Sequence, residues 1–393
     1  MAVLNALRNA LSRRRLPKAA REERDRDRQG VPTNDPGAAA AVEACLAWLA
    51  RAQDCSASDD GGVARDFSLI EGWATSYPET TGYIVPSFLA EAAGGRRADL
   101  RERARRMLDW LAEIQFEDGG IQGGKIDAPV RVPVTFNTGQ VLLGYCAGVR
   151  AFNAYRENMH AAARFLRDTL DADGCWRSHP TPFAARGEKA YETHVSWGLF
   201  EAERLAPGEG YGEAGLRQVD WALGKQRENG WVADCCLDQP SQPLTHTLGY
   251  YLRGVVEAHR LTEAPRFLEA ACKTGDALVG VQRPDGSLAG RWRADWSAAV
   301  DWVCLTGVSQ IAESWLYLFE ATGDPRYRDS AMNANAFVRR SIHMDGPLDT
   351  RGGVKGAFPV DGGYGEFAFL NWAAKFTLDA NRKELELASP SSA

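Results

Sequence analysis

Residues 108–124 read LDWLAEIQFEDGGIQGG. Leu108, Leu111 and Ile114 lie at helical spacing. Asp118-Gly119-Gly120 then breaks the pattern, with Gln115 four residues before the first glycine. One such ending is an ordinary helix C-terminus, because glycine adopts the left-handed conformation that stops a helix. This ending recurs. It returns as LAWLARAQDCSASDDGGVA from Leu46, ARFLRDTLDADGCWRS from Ala163, VDWALGKQRENGWVAD from Val219 and GDALVGVQRPDGSLAG from Gly275. A weaker copy is NAFVRRSIHMDGPLDTRGG from Asn335. The glycine after Asp or Asn falls at 61, 119, 174, 230, 286 and 346, with gaps of 58, 55, 56, 56 and 60. Six marks at a near-constant period are an internal repeat, and a repeat decides the fold before any single motif does. Gln115, Gln226 and Gln282 keep one offset from their glycine; Gln53 precedes its own by a longer loop.

Between marks each unit holds two helical stretches. The one before the mark is amphipathic, as in ADLRERARRMLDWLAEIQ. The one after it is apolar, small and aromatic, as in FNTGQVLLGYCAGVRAFNAY and THTLGYYLRGVVEAHRLT. A helix with a charged stripe faces water, and one without is buried on several sides. Six outer helices alternating with six inner ones predict an all-α (α/α)6 toroid of six helix-pair repeats of about 57 residues, spanning 36–380. Residues 1–35 read as a basic, partly disordered tail and 381–393 as a second disordered tail.

The chain has 393 residues, a net charge of −6 and eight cysteines with no C-x-x-C pair. The negative balance argues against nucleic acid as partner. Scattered cysteines and the lack of a secretory segment predict reduced thiols and a cytoplasmic setting. Val3, Leu4, Leu7 and Leu11 with Arg13–Arg15 and Lys18 form a short basic amphipathic stretch. It reads either as a solvated tail or as a peripheral contact with an anionic inner-membrane surface.

The Gln, the Asp/Asn-Gly turn and the aromatic after it resemble the repeats of squalene cyclase and protein prenyltransferase toroids. Residues 77–88 (YPETTGYIVPSF), 305–324 and 356–376 resemble bacterial toroid proteins of polysaccharide biosynthesis. More distantly, the fold resembles uronyl 5-epimerases, polysaccharide lyases and unsaturated glucuronyl hydrolases. These resemblances imply glycan or isoprenoid chemistry, and the residues weigh between them. A squalene-type cyclase needs a D-x-D-D cluster, which is absent. Prenyltransferase zinc would find Asp234 and Cys236, but the last inner helix lacks the completing histidine, so no metal and no cofactor are expected.

The inner-helix N-termini converge at one end of such a barrel, where their dipoles suit an anionic or hydroxyl-rich ligand. That mouth is expected to collect His194, His246, Glu79 and Tyr191 as catalytic groups. Asn137, Gln140, Trp197, Tyr250, Gln310 and Tyr364 are expected to bind substrate, with Trp292 and Trp296 as stacking faces and Lys355 or Arg291 as a carboxylate clamp. Glu192, Asp301 and Glu366 are further carboxylates near it. Thr80, Thr245 and Thr306 are expected to cap helices. The function that follows is a carbohydrate-active enzyme of bacterial polysaccharide metabolism. Its substrate is a uronate-containing glycan, free or lipid-linked, and its chemistry is of epimerase, lyase or hydrolase type. An isoprenoid-binding protein and a non-catalytic toroid that binds a glycan or a partner are the alternatives.

Overall fold

The computed structural model describes residues 16–95 and 97–388, so the basic stretch from Val3 to Arg15 lies outside the described residues. A first helix, α1 (Lys18–Asp27), precedes six helix pairs. The outer and inner members are α2 (Ala38–Asp54) and α3 (Pro78–Glu91), then α4 (Ala98–Ile114) and α5 (Thr135–Phe152), then α6 (Arg156–Asp168) and α7 (Thr193–Leu205). They continue as α8 (Tyr211–Leu223) and α9 (Thr245–Thr262), α10 (Pro265–Gly280) and α11 (Leu305–Thr322), and α12 (Pro325–Arg340) and α13 (Asn371–Ala388). Each inner helix packs on the next, and α13 packs on α2 and α3, which closes the ring into an (α/α)6 toroid. Extended structure is confined to the loops. β1 (Asp66–Ser68) lies between β2 (Gly72–Trp73) and β5 (Ala368–Leu370), and β3 (Val303–Cys304) pairs with β4 (Ala357–Phe358).

The repeated glutamine is a bracket between neighbouring units. Gln115 Nε2 donates to Gly119 O at 2.9 Å and to Asn158 O of the next outer helix at 3.2 Å. Gln53 does the same to Gly61 O and Arg103 O, and Gln282 to Gly286 O and Ser330 O. Gln226 reaches Ala270 O and Thr274 Oγ1, and that hydroxyl passes the bond on to Gly230 O. Each bracket satisfies two buried carbonyls that would otherwise be left without partners. The aspartate or asparagine before the glycine accepts the N–H two residues on, as Asp118 Oδ1 does from Gly120 N at 2.9 Å.

All six marks have positive φ, from 82° to 94°. Five of them face the next outer helix: a Cβ on Gly119 would sit 2.3 Å from Ala161 O, and on Gly286 2.1 Å from Asn333 O. The sixth differs from the expectation. Gly346 faces open space, whereas Gly352, with φ 82°, would place a Cβ 2.1 Å from Ala44 O of α2. Gly352 is therefore the sixth mark in space, and it seals the last unit onto the first. The longer loop after α12 hid it from a count along the chain.

The tails also differ from the sequence reading. α1 lies within the segment expected to be a tail and is held on the toroid by a buried ion cluster. Lys355 Nζ contacts Glu23 Oε1 at 2.7 Å and Asp27 Oδ1 at 2.5 Å. At the other end α13 runs past residue 380 to Ala388. The threonines at the inner helix starts do not cap. Thr80 Oγ1 instead accepts from Asn371 Nδ2 at 2.7 Å, Thr245 Oγ1 accepts from Trp292 Nε1 at 2.9 Å, and the buried Thr306 hydroxyl has no partner among the described residues.

Gly352→Ala is expected to lower unfolding free energy by about 3 kcal/mol or more, through strain and collision, and Gly346→Ala by about 1 kcal/mol. Urea unfolding of both variants checks this; equal losses would return the sixth mark to Gly346.

Candidate functional site

The second residues of the inner helices share one repeat position at the N-terminal end of the barrel. These residues are Glu79, Phe136, His194, His246, Thr306 and Trp372. A cavity of about 250 Å³ opens there. Its walls are Arg65, Tyr77, Glu79, Phe136, Asn137, Thr181, Phe183, Tyr191, Leu237, His246, Tyr250, Tyr364 and Trp372.

Glu79 follows Pro78, which begins α3 with its φ already set for a helix. The carboxyl is buried, and burial raises its pKa to about 7 against the opposing pull of the Tyr77 hydrogen bond and the Arg65 charge. His246 is placed by close contact between α9 and α11, since a Cβ on Gly307 would lie 2.5 Å from His246 N. Its Nδ1 donates to Gln310 Oε1 at 2.7 Å, so the neutral ring keeps Nε2 unprotonated. Burial lowers its pKa to about 4, although the Gln310 bond works the other way. The cavity thus holds a carboxyl that keeps its proton to near neutrality and an imidazole that is a free base above about pH 4.

Arg65 stands beside them with its guanidinium 5.1 Å from the Trp372 ring centre, and it is ion-paired to Asp66. Aromatic faces supply much of the remaining wall. Phe136 meets Tyr250 at 5.0 Å and Tyr191 at 5.4 Å, and Trp372 Nε1 donates to Tyr364 Oη at 2.9 Å. Asn137 Nδ2 is held by Gln122 O at 3.0 Å.

Of the residues expected at the mouth, the structure brings together Glu79, Asn137, Tyr191, His246, Tyr250 and Tyr364. His194 does not line the cavity. A 3-10 turn at Ala190–Glu192 precedes α7, and Tyr191 on that turn lines the cavity while His194 is fully buried. Its Nδ1 bonds Gln140 Oε1 at 2.7 Å, its ring is 4.6 Å from Tyr250, and burial drives its pKa well below the usual value. Gln140 and Gln310 are thus supports of the two imidazoles rather than cavity walls.

The other expected positions lie elsewhere. Trp197 is at the opposite end of the barrel, 4.1 Å from the Arg253 guanidinium. Trp292 and Trp296 pack against each other behind α9, with Trp296 Nε1 bonded to Asn229 O. Lys355 is the buried partner of α1 already described, and Arg291 pairs with Asp238 at 2.9 Å. Asp301 and Glu366 are exposed, and Glu192 faces a neighbouring cavity. Asp234 pairs with Lys225 at 2.9 Å, while Cys236 Sγ lies 3.5 Å from Arg291 Nη1. Among the described residues no group of three or more His, Cys, Asp or Glu is arranged to hold a metal ion.

The sequence reading passed over Arg65, Tyr77, Phe136 and Trp372. Phe136 and Trp372 carry a usable signal, since they occupy the same helix position as Glu79 and His246, whereas Arg65 and Tyr77 lie before the helix start.

Comparison with solved structures places this architecture among toroids that act on sugars. The chain is similar to an unsaturated glucuronyl hydrolase specific for heparin, with a TM-score of 0.71 and 14% identity over 88% of this chain and 96% of that one. It is similar to D-mannose isomerase, with a TM-score of 0.68 and 12% identity over 89% and 97%. It is also similar to cellobiose 2-epimerase from Bacillus thermoamylovorans, with a TM-score of 0.66 and 11% identity over 86% and 96%. At these identities the likeness is one of fold. The resemblance to squalene cyclases is not shown by these matches. No family model and no curated protein matches the chain.

Because the fold favours protonated Glu79, this group stabilises the protein below its unfolded pKa of about 4.5, and that contribution is lost as pH rises through about 7. Glu79→Gln does not titrate. Its unfolding free energy relative to wild type should therefore rise by about 3 kcal/mol between pH 4.5 and pH 8. Urea titrations at the two pH values measure it; a pH-independent difference would place the carboxyl in a wetter site.

Proposed function

We propose that this protein is an enzyme of polysaccharide metabolism that moves a proton at a carbon of a uronate-containing glycan, by epimerase or lyase chemistry. The observation that carries the reading is the meeting of Glu79 and His246, with opposite protonation at neutral pH, in one aromatic-walled cavity. A neutral imidazole and a protonated carboxyl are the base and acid that such a transfer needs. In this reading His246 Nε2 takes the proton from the sugar carbon next to the carboxylate. Arg65 holds that carboxylate and stabilises the negative charge that develops on it. The Glu79 proton then goes to the opposite face of the same carbon, which inverts it, or to the departing glycosidic oxygen, which breaks the chain and leaves a double bond. Tyr191, Tyr250 and Tyr364 offer hydroxyls and ring faces, and Asn137 an amide, to the sugar.

The sugar-active proteins that share the fold support the substrate class. Hydrolysis by paired carboxylates is less well supported, since Glu79 is the one carboxyl in the wall of this cavity. A hydrocarbon occupant would cover the polar groups of Glu79, Arg65 and Asn137 without offering them any hydrogen bond, which disfavours the isoprenoid alternative. The glycan's lipid linkage, a cytoplasmic setting and contact with a membrane surface belong to the same proposal. No described helix is long and apolar enough to cross a membrane.

Incubation with uronate oligosaccharides in D2O tests the chemistry. The expected result is deuterium at the carbon next to the carboxylate, or an unsaturated uronate product. Hydrolysed saturated sugars without deuterium would overturn the assignment. Once turnover is found, His246→Ala should lower kcat by 10²–10⁴-fold, roughly the worth of a positioned base. In wild type, kcat/KM should rise through about pH 4 as His246 loses its proton and fall through about pH 7 as Glu79 loses its own. Glu79→Gln should abolish the descending limb along with most of the activity.

A further inference from the structure

A second cavity of about 490 Å³ adjoins the first, and Thr181 and Tyr191 line both. Two of its wall groups are buried polar atoms with no partner. Glu192 and Thr135 line it, and Glu192 Oε2 and Thr135 Oγ1 are buried with no hydrogen-bond partner among the described residues. Such atoms cost free energy unless something else satisfies them. Two such atoms on residues that line one cavity point to a ligand that brings hydroxyl groups.

The rest of the wall fits a sugar. Trp176 and Tyr191 offer ring faces, and Pro180 gives a rigid edge to the loop between α6 and α7. Two of the cations nearby are already engaged, and Arg186 is exposed at the edge. Arg177 is shared by Asp171, Asp173 and Glu188, and the Lys189 ammonium donates to Cys236 O at 3.2 Å and Leu237 O at 3.4 Å. Burial raises the Glu192 pKa to about 8 against the pull of Lys189, so at neutral pH it is mainly a carboxylic acid that can both donate and accept.

We infer that the second cavity is a sugar subsite, in which Glu192 and Thr135 hydrogen-bond the hydroxyls of the residue next to the one held by Glu79 and His246. The substrate is then at least a disaccharide unit that runs from the first cavity past Tyr191 into the second. This inference rests on the proposed glycan reading and extends it from one sugar ring to two.

Calorimetric titration with D-glucuronate and with a glucuronyl-glucose disaccharide tests it. Wild type is expected to bind the disaccharide at least 10-fold more tightly than the monosaccharide. Glu192→Ala and Thr135→Val should each remove most of that difference. Ala185→Trp, at the exposed rim of the second cavity, should remove it by filling the space. Glucuronate affinity should stay unchanged in all three, which also shows that the first cavity remains folded. Equal affinity for the two sugars in wild type, or a disaccharide advantage that survives all three substitutions, would overturn the subsite while leaving the first cavity's reading intact. If wild type binds neither sugar, both readings fall.

Discussion

The structure depends on how each outer helix ends. A helix must stop, turn inward and present its loop to the next unit without leaving carbonyls unpaired. The left-handed glycine makes the turn. Its missing Cβ lets the loop touch a backbone carbonyl of the next outer helix, as Gly230 does at Lys273 and Gly286 at Asn333. The glutamine then ties that loop to the same helix through two carbonyls. Each such hydrogen bond contributes only about 1 kcal/mol net, but leaving the buried carbonyls unmade costs more. The bracket recurs around the ring, so the angle between successive units is set several times over, and Gly352 on Ala44 closes it.

Closure brings the inner helices together and fixes the two ends of the barrel as chemical opposites. At one end the N-termini converge and bring free N–H groups and partial positive charge. Buried there, Glu79 and His246 are both held in their neutral forms by desolvation. Further along the inner helices the buried charges are paired. Arg253 is paired with Glu257 at 2.9 Å and with Glu313, and Lys375 with Asp379 at 2.9 Å. Arg253, Glu313, Lys375 and Asp379 line a separate cavity of about 210 Å³ together with Trp197. The cavity at the N-terminal end instead holds the desolvated Glu79 and His246, an arrangement that suits catalysis there.

The first helix adds a further constraint. Lys355 is almost fully buried and needs counter-charges, because an isolated ammonium in the interior is costly. Glu23 and Asp27 of α1 supply them. Burial would raise the Glu23 pKa, but His343 and Lys355 outweigh it and hold the carboxyl down at about 2. The loop that follows Lys355 carries Tyr364 into the cavity wall. Docking of α1 thus steadies one side of the site from outside the toroid.

The sequence by itself determined the toroid, because the period of Asp/Asn-Gly marks is a local signal repeated six times, and glycine, glutamine and apolar spacing act within a few residues of each mark. It also placed Glu79, His246, Tyr191 and Asn137 near one mouth, since a repeat offset converts position along the chain into position around a ring. What it left open needed contacts between distant segments. That Gly352 rather than Gly346 is the sixth mark depends on α2, some three hundred residues earlier in the chain. That Lys355 serves α1, and that Trp292 and Trp296 pack behind α9, depends on which neighbours the folded loops meet. His194 and His246 look equivalent along the chain, yet only His246 lines the cavity, while His194 is fully buried against Tyr250. Arg65 and the second cavity emerge only when loops from several units come together, because a cavity is a property of the surfaces that fail to fill a space, and no single segment encodes it.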